Sequence, residues 1–346
     1  MKITVLMGGA SAERNVSLAS GLRIAEALRS KGHQVISFDP SRGPISAEME
    51  RELSAGPVGT EPPSLESLAR TTGGSFLPEL ERKPEIAGAD VVFLALHGGQ
   101  GEDGTLQALL DMAHISYTGS GMLASALAMD KDLSKRLFRS NSVTTADWMM
   151  APVSLDDVES RLGLPVVVKP SKQGSTVGLT VVKSRDHYAA AVDEAFLYDD
   201  EVMVERFVPG RELTVGVLGD RALPVGEIKP KHEIYDYECK YTVGMAVEEF
   251  PADLTEEQTT RVQQQALAAF RALKLGGCAR IDFRLSGPDD GERGGEFYCL
   301  EANTLPGMTG TSLIPQGAAA LGMSFADLCE EIVRLAPRNR DARSVL

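Results

Sequence analysis

Cysteine is scarce in this chain, and the four present (Cys239, Cys278, Cys299 and Cys329) show no C-x-x-C spacing. That usage speaks against a disulfide framework and fits reduced thiols in a cytosolic protein. No apolar run approaches the length of about 18 residues that would read as a membrane-spanning helix. Met1-Lys2 leads straight into an apolar strand with no signal peptide, so a cytoplasmic location is expected. Positive charge is in deficit, with 35 Lys and Arg against 49 Asp and Glu for a net charge of −14. Such a field argues against nucleic acid or an anionic membrane as the main partner. It still permits an anionic nucleotide, because local lysines with Mg²⁺ outweigh the global charge. Two glycine signatures are missing as well. Gly8-Gly9 is not G-x-G-x-x-G, and the loop 171–178 lacks the G-K-[ST] ending and the following helix of a P-loop. A dinucleotide site and a P-loop are therefore not expected.

What is present is chain enough for two or three domains: 346 residues, 43% hydrophobic and 24% charged. Residues 3–7 read as a strand, Leu18, Leu22, Ala25 and Leu28 as one helix stripe, and residues 34–38 as the next strand. This is the β-α-β opening of a doubly wound sheet. Glu13 stands at the helix entry, where a carboxylate either favours the helix dipole or captures a substrate ammonium. Residues 40–88, with Pro57, Pro62, Pro63, Pro78 and Pro84, read as an irregular excursion holding one or two short helices. Residues 89–96 form a buried parallel-type strand that runs into His97-Gly98-Gly99-Gln100-Gly101-Glu102-Asp103-Gly104. Ligands of open α/β sheets collect at such strand ends, so position favours a site role for His97 over a structural one.

Tyr117-Thr118-Gly119-Ser120-Gly121 reads as a flexible junction and a first domain boundary. A helical stretch with Lys131 and Lys135 follows, then a strand over 164–170 that carries Lys169 near its end. The glycine-rich loop 171–178 lies between two strands. It is either an ordinary hairpin turn or a flap whose N–H groups and Ser175 and Thr176 hydroxyls close over phosphates, with Lys169 neutralising charge. Pro209-Gly210 after the strand 201–208 resembles a hinge between lobes, and 211–218 is the next strand. Residues 235–241, polar and aromatic, read as a surface loop. Thr255-Glu256-Glu257-Gln258 is a capping box that opens a long helix, and a last helix spans 325–335.

Two short strands near the end carry the densest chemistry. Arg280 and Asp282 share an i, i+2 relation in the first, and Glu301 and Asn303 share it in the second, so each pair points to one face. If the strands pair, three oxygen-bearing side chains and one arginine converge. Such hard ligands suit Mg²⁺, which keeps water and phosphate oxygens in its shell; otherwise they are polar strand ends at a sheet edge. Pro306-Gly307 then turns the chain so that N–H groups and the hydroxyls of Thr309, Thr311 and Ser312 can face a ligand.

In order, these segments resemble the D-alanine–D-alanine ligase family of the ATP-grasp superfamily. The resemblance runs from Gly8-Gly9 with Ser11-Ala12-Glu13-Arg14 through His97-Gly98, Gly101-Glu102-Asp103-Gly104 and Met129-Asp130-Lys131. It continues through Lys169-Pro170-Ser171, Tyr235-Asp236-Tyr237-Glu238 with Lys240-Tyr241, Arg280-Ile281-Asp282, and Leu300-Glu301-Ala302-Asn303-Thr304. It implies an α/β fold with an N-terminal doubly wound, Rossmann-like substrate domain over residues 1–119. A two-lobed ATP-grasp fold follows, with a central lobe over 120–208 and a C-terminal lobe over 209–346. ATP is the implied co-substrate. Lys131 and Lys169 would contact its phosphates, Glu205 with Phe207 and Val208 its adenine, and Glu212 its ribose, with Ser175, Lys240 and Asn303 also in the cofactor site. Asp282, Glu301 and Asn303 would hold two Mg²⁺, for which Mn²⁺ can stand in.

Glu13, with Ser175 and Tyr241 in a hydrogen-bonded bridge, would receive the first D-alanine, with Val16 and His97 beside it. Arg280 and the Gly307 backbone would stabilise the oxyanion, and Ser312 with Leu313 would take the second D-alanine. The implied reaction ligates two D-alanines through a D-alanyl phosphate, for peptidoglycan precursor synthesis, and no side-chain nucleophile is needed. A homodimer is implied by analogy. The alternatives are a D-alanine–D-lactate ligase, against which Lys240-Tyr241 speaks, and a non-catalytic nucleotide-binding protein. The sequence departs from the family at Asn15, where a second Glu is common, at Leu305, where a small polar residue is common, and in its longer 40–88 stretch.

Overall fold

The computed structural model describes residues 1–11, 13–54, 77–232, 244–287 and 295–337. The chain opens with β1 (Lys2–Leu6), the helix α1 (Arg14–Ser30), β2 (Gln34–Asp39), the short β3 (Gly43–Pro44) and β4 (Val91–Leu94). These strands form a sheet in the order β3-β2-β1-β4, with β2 and β4 parallel to β1 on its two sides. The β-α-β reading therefore holds, and the stripe of Leu18, Leu22, Ala25 and Leu28 is buried against this sheet. Alternation gives each strand two apolar faces. Ile3 and Val5 pack with α1, whereas Leu6, Val92 and Leu94 pack with Leu106 and Leu110 of the helix Thr105–Met112. The face under α1 is also covered from the far end of the chain. Ile314 of the helix Leu313–Ala320 and Leu328 and Ile332 of Phe325–Leu335 join the same core.

A second sheet, β5 (Trp148–Met150), β6 (Val166–Pro170), β7 (Thr180–Val182) and β8 (Val202–Arg206), is antiparallel in the order β5-β8-β6-β7. Val166, Val168, Val202 and Val204 face a core capped by the helices Leu155–Arg161 and Tyr188–Ala195. The two-residue period then sends Lys169 and Glu205 to the opposite face.

The third sheet contains β9 (Arg211–Leu218), β10 (Arg221–Ala222), β11 (Gly226–Pro230), β12 (Ala246–Glu249), β13 (Cys278–Ser286) and β14 (Glu296–Asn303). Its order is β12-β11-β9-β13-β14, with β10 on β9. The helix Glu256–Ala272, opened by the expected capping box of Thr255 and Gln258, covers the face made by Leu213, Val215, Val217, Ala279, Ile281, Phe283 and Leu285. Glu212, Thr214, Arg280, Asp282 and Arg284, at the intervening positions, are thereby turned to the other face. In β14 the core residues are Phe297, Cys299 and Ala302, an odd–odd–even run. The register accounts for it: Asp282 pairs with Glu301, but Phe283 pairs with Cys299, so Leu300 is a bulge. One extra residue flips the parity and sends Glu301 and Asn303 to the same side as Asp282.

The expected helices in 40–88 appear at Ala47–Ser54 and Pro84–Ala87. The expected surface loop 235–241, with Lys240 and Tyr241, lies outside the described residues. The three described cysteines, Cys278, Cys299 and Cys329, are free and buried. Among the described residues no helix is long and apolar enough to cross a membrane.

Gly210 joins the second sheet to the third at φ +121°, and a Cβ there would lie 2.0 Å from the Leu285 carbonyl oxygen. Gly210→Ala is expected to cost well over about 1 kcal/mol. Gly163→Ala, at φ +72° with open space around it, should cost less. Differential scanning calorimetry gives the comparison, and equal drops in the two unfolding midpoints would refute the steric account.

Candidate active site

The exposed faces of the second and third sheets look toward each other across a cleft of about 1000 Å³, its open mouth included. Lys131, Lys169, Glu205, Phe207, Val208, Glu212, Asp282 and Glu301 line it, and residues 173–177 of the glycine-rich loop run along it. Its deepest feature is a carboxylate between two lysines. Glu205 accepts from Lys169 Nζ at 2.7 Å on one oxygen and from Lys135 Nζ on the other. Lys135 is fully buried and also donates to Thr145, whose hydroxyl donates to the Cys299 carbonyl at 2.7 Å. Burial alone would raise the Glu205 carboxyl, but Lys135 and Lys169 outweigh it and hold the group at about 2.

Next to Gly210, Arg284 donates to the Val208 carbonyl at 3.1 Å and to Glu212 Oε2 at 3.0 Å, with Phe207 against its guanidinium. Opposite, Asp282 accepts from Thr214 at 2.8 Å, from Arg280 at 2.9 Å and from the Asn303 amide at 3.0 Å. Lys131 Nζ lies 3.3 Å from Glu301 Oε2 and donates to the Gln173 carbonyl at 2.7 Å. Two carboxylates and an amide, whose oxygen and nitrogen exchange by a flip, thus meet on paired strands. This donor set fits a hard cation. Among the described residues no group of three His, Cys, Asp or Glu side chains gathers for a metal. A cation here would therefore complete its shell with water or phosphate oxygens, as Mg²⁺ does.

A second pocket of about 750 Å³ adjoins the first, and Gly174, Ser175 and Arg280 line both. Glu13, Val16, His97, Glu102, Asn303, Gly307, Ser312 and Leu313 are among the other residues of its wall. Glu13 is the N-cap of α1, but its side chain makes no cap; it accepts the Ser175 hydroxyl instead, across the chain. Ser175 and Thr176 hold φ of +53° and +59°, a left-handed pair without glycine. His97 Nδ1 lies 2.9 Å from the Leu305 carbonyl oxygen. Burial holds its imidazole below the ordinary 6.5 against the pull of Glu13, so the ring stays neutral. Glu102 accepts from the Gly98 N–H at 3.0 Å and the Leu305 N–H at 3.4 Å, and burial with the nearby Glu13 charge raises it to about 7. Ser312 Oγ accepts the Thr309 N–H at 2.9 Å beneath Gly307.

The comparisons with known proteins agree with one another. Residues 2–120 match the family model described as D-ala D-ala ligase N-terminus, and residues 135–334 match D-ala D-ala ligase C-terminus. The chain belongs to the D-alanine–D-alanine ligase family. The D-alanine–D-alanine ligase of Geobacter sulfurreducens is 42% identical over 335 residues, covering 96% of this chain and 93% of that protein. That of Syntrophotalea carbinolica is 40% identical over 332 residues, covering 96% and 95%. Among solved structures, the ligase from Bacillus anthracis complexed with ATP superposes with a TM-score of 0.74 at 30% identity, over 97% of this chain and 96% of that one. The VanG D-Ala:D-Ser ligase from Enterococcus faecalis gives 0.76 at 28% identity, over 96% and 98%. The sheets facing across the larger cleft are thus the ATP-grasp fold of this family.

Sequence reasoning gives no role to Lys135, Arg284, Thr145 or Glu102. Lys135 stands four residues after Lys131 on one helix, and Arg284 two after Asp282 on one strand, so spacing alone places both on site-bearing faces. Glu205 holds two lysines, so Glu205→Gln leaves both without a carboxylate and is expected to cost about 3–5 kcal/mol. Adding Lys135→Met, which removes the fully buried cation, should recover part of it. Urea unfolding measures both, and a double variant no more stable than Glu205→Gln alone would count against the pair. Because Glu205 titrates at about 2 instead of 4.5, its ionised form contributes stability above pH 4.5 that is lost as pH falls toward 2. The gap in unfolding midpoint between the wild type and Glu205→Gln should narrow over that window.

Proposed function

We propose that this chain joins two D-alanines to D-alanyl-D-alanine with ATP as co-substrate, through a D-alanyl phosphate. The observation that carries the reading is the meeting of the two pockets at Gly174, Ser175 and Arg280. A phosphoryl donor in one and an amino acid in the other would come together there. ATP would lie in the larger cleft, its phosphates against Lys131 and Lys169, its adenine beside Phe207 and Val208, and its ribose at Glu212. Glu205 already holds two lysines, so it would serve this site by fixing Lys169. Glu13, supported by Ser175, would bind the ammonium of the first D-alanine, with Val16 and His97 beside it. Tyr241 and Lys240 remain assigned by resemblance to the second loop.

The carboxylate of the first D-alanine attacks the γ-phosphorus and ADP leaves. The amine of the second then attacks the acyl carbon, and phosphate leaves as the amine proton is lost. Ser312 and Leu313 would hold that second D-alanine. Arg280 and the Gly307 N–H would face the oxygen that gains charge, where fixed donors contribute most. Mg²⁺ or Mn²⁺ held by Asp282, Glu301 and Asn303 would supply charge neutralisation at the phosphates. Closing 171–178 over both pockets keeps water from the acyl phosphate. A cytoplasmic location and a homodimer belong to the same reading, the latter open to sedimentation analysis.

Phosphate release and dipeptide should both appear with ATP, Mg²⁺ and D-alanine, and not with L-alanine. Arms with D-lactate or D-serine beside D-alanine distinguish the neighbouring specificities. No phosphate and no dipeptide from D-alanine would sink the reading. Glu301→Gln is expected to lower turnover by about 10²-fold or more with an unchanged circular dichroism spectrum. Full turnover with a normal Mg²⁺ dependence would refute the metal assignment.

A further inference from the structure

The main chain of residues 305–309, which floors the smaller pocket, is gripped from the N-terminal side at Leu305, Met308 and Thr309. His97 and Glu102 meet the two ends of Leu305, its carbonyl at 2.9 Å and its N–H at 3.4 Å. Ser20 Oγ accepts the Met308 N–H at 3.1 Å. Arg23 Nη1 donates to the Met308 carbonyl at 3.2 Å and to the Thr309 carbonyl at 2.6 Å. The Arg23 guanidinium also lies 3.7 Å over the Phe325 ring, which fixes its direction. Arg23 lines neither pocket. Ser20 and Arg23 both belong to α1, and Glu13 is the N-cap of that helix. A single rigid rod therefore carries Glu13 at its start and, about two to three turns later, the grip on the turn that bears Gly307 and Ser312.

Resting on the proposed ligation of two D-alanines, we propose that Arg23 is a positioning residue for the second amino acid. By holding the Met308 and Thr309 carbonyls, it fixes Gly307 and Ser312 at a set distance from the first D-alanine on Glu13. Without it, the two carbonyls lose a charged donor and the turn can rotate them toward water, which moves the second subsite and leaves the first in place.

Initial rates against D-alanine concentration at saturating ATP separate the constant for the first D-alanine from that for the second. Arg23→Met is expected to raise the second constant about tenfold or more, since small displacements at a reacting centre are costly. The constants for ATP and for the first D-alanine should stay near wild type, and Arg23→Lys should fall in between because an ammonium is a single point donor. A wild-type second constant in Arg23→Met overturns the proposal, as does a uniform loss across all constants that follows the fall in unfolding midpoint. If Arg23→Met does not fold, Ser20→Ala, which removes the Met308 acceptor, takes its place: a raised second constant alone supports the proposal, and an unaltered one overturns it. No D-alanine-dependent phosphate from the wild-type chain overturns the ligase reading and this inference together; an active wild type with an unaltered split overturns the inference alone.

Discussion

A strand serves a core and a cleft at once only while its two-residue period holds, and the strand-borne polar groups of the larger cleft depend on that constraint. β9 and β13 keep the period throughout, with Leu213 to Val217 and Ala279 to Leu285 inward at alternate positions. Glu212, Thr214, Arg280, Asp282 and Arg284 face the cleft as a consequence. β14 would place Glu301 in the core if it did the same, since Phe297 and Cys299 are both inward. The bulge at Leu300 prevents this and sets Glu301 directly across from Asp282. The juxtaposition of two carboxylates is thus a result of register before it is a result of charge.

Charge then decides what the cleft can accept. The chain is acidic overall, at −14, but the cleft is balanced by Lys131 against Glu301, Arg280 against Asp282, Arg284 against Glu212, and two lysines against Glu205. Partly desolvated charges are tolerable when each has a partner. The Lys131–Glu301 contact is the exchangeable one, at 3.3 Å with Glu301 partly exposed. Under the proposed function, Lys131 would turn to a phosphate oxygen and Glu301 would help to hold the cation. Glu205 has no such freedom, because both of its oxygens are taken at a buried position. Under the proposed function it holds Lys169 in place.

Much of this is legible in the sequence because periodicity is local. The β-α-β opening, the capping box at Thr255 and the facing pairs Arg280/Asp282 and Glu301/Asn303 all follow from spacing. The parity break at Leu300 is also on view, as an apolar run at 297, 299 and 302, although a regular strand is the simpler expectation for that stretch. What spacing cannot reach is the partner. Lys135 finds Glu205 70 residues away, Glu102 finds Leu305 at a separation of 203, and Arg23 finds Thr309 at 286. The last two of those pairings exist only once the C-terminal segment has packed on the N-terminal sheet. The Tyr241 bridge, assigned by resemblance, lies outside the described residues.

The unequal attachment of the two walls of the smaller pocket indicates which of them can move. The 305–309 turn is tied by its own backbone to α1 and to the His97 loop, so displacing it means breaking several hydrogen bonds at once. The loop 171–178 reaches that pocket mainly through the Ser175 hydroxyl on Glu13, and it holds two left-handed residues to do so. Left-handed residues of this kind cost energy that the surrounding contacts must offset. Because Gly174 and Ser175 line both pockets, one opening of this loop would admit nucleotide and amino acid together. One closure would then shut both from water before the phosphoryl group moves. A fixed floor with a strained cover suits a reaction whose intermediate must survive only until the second amine arrives.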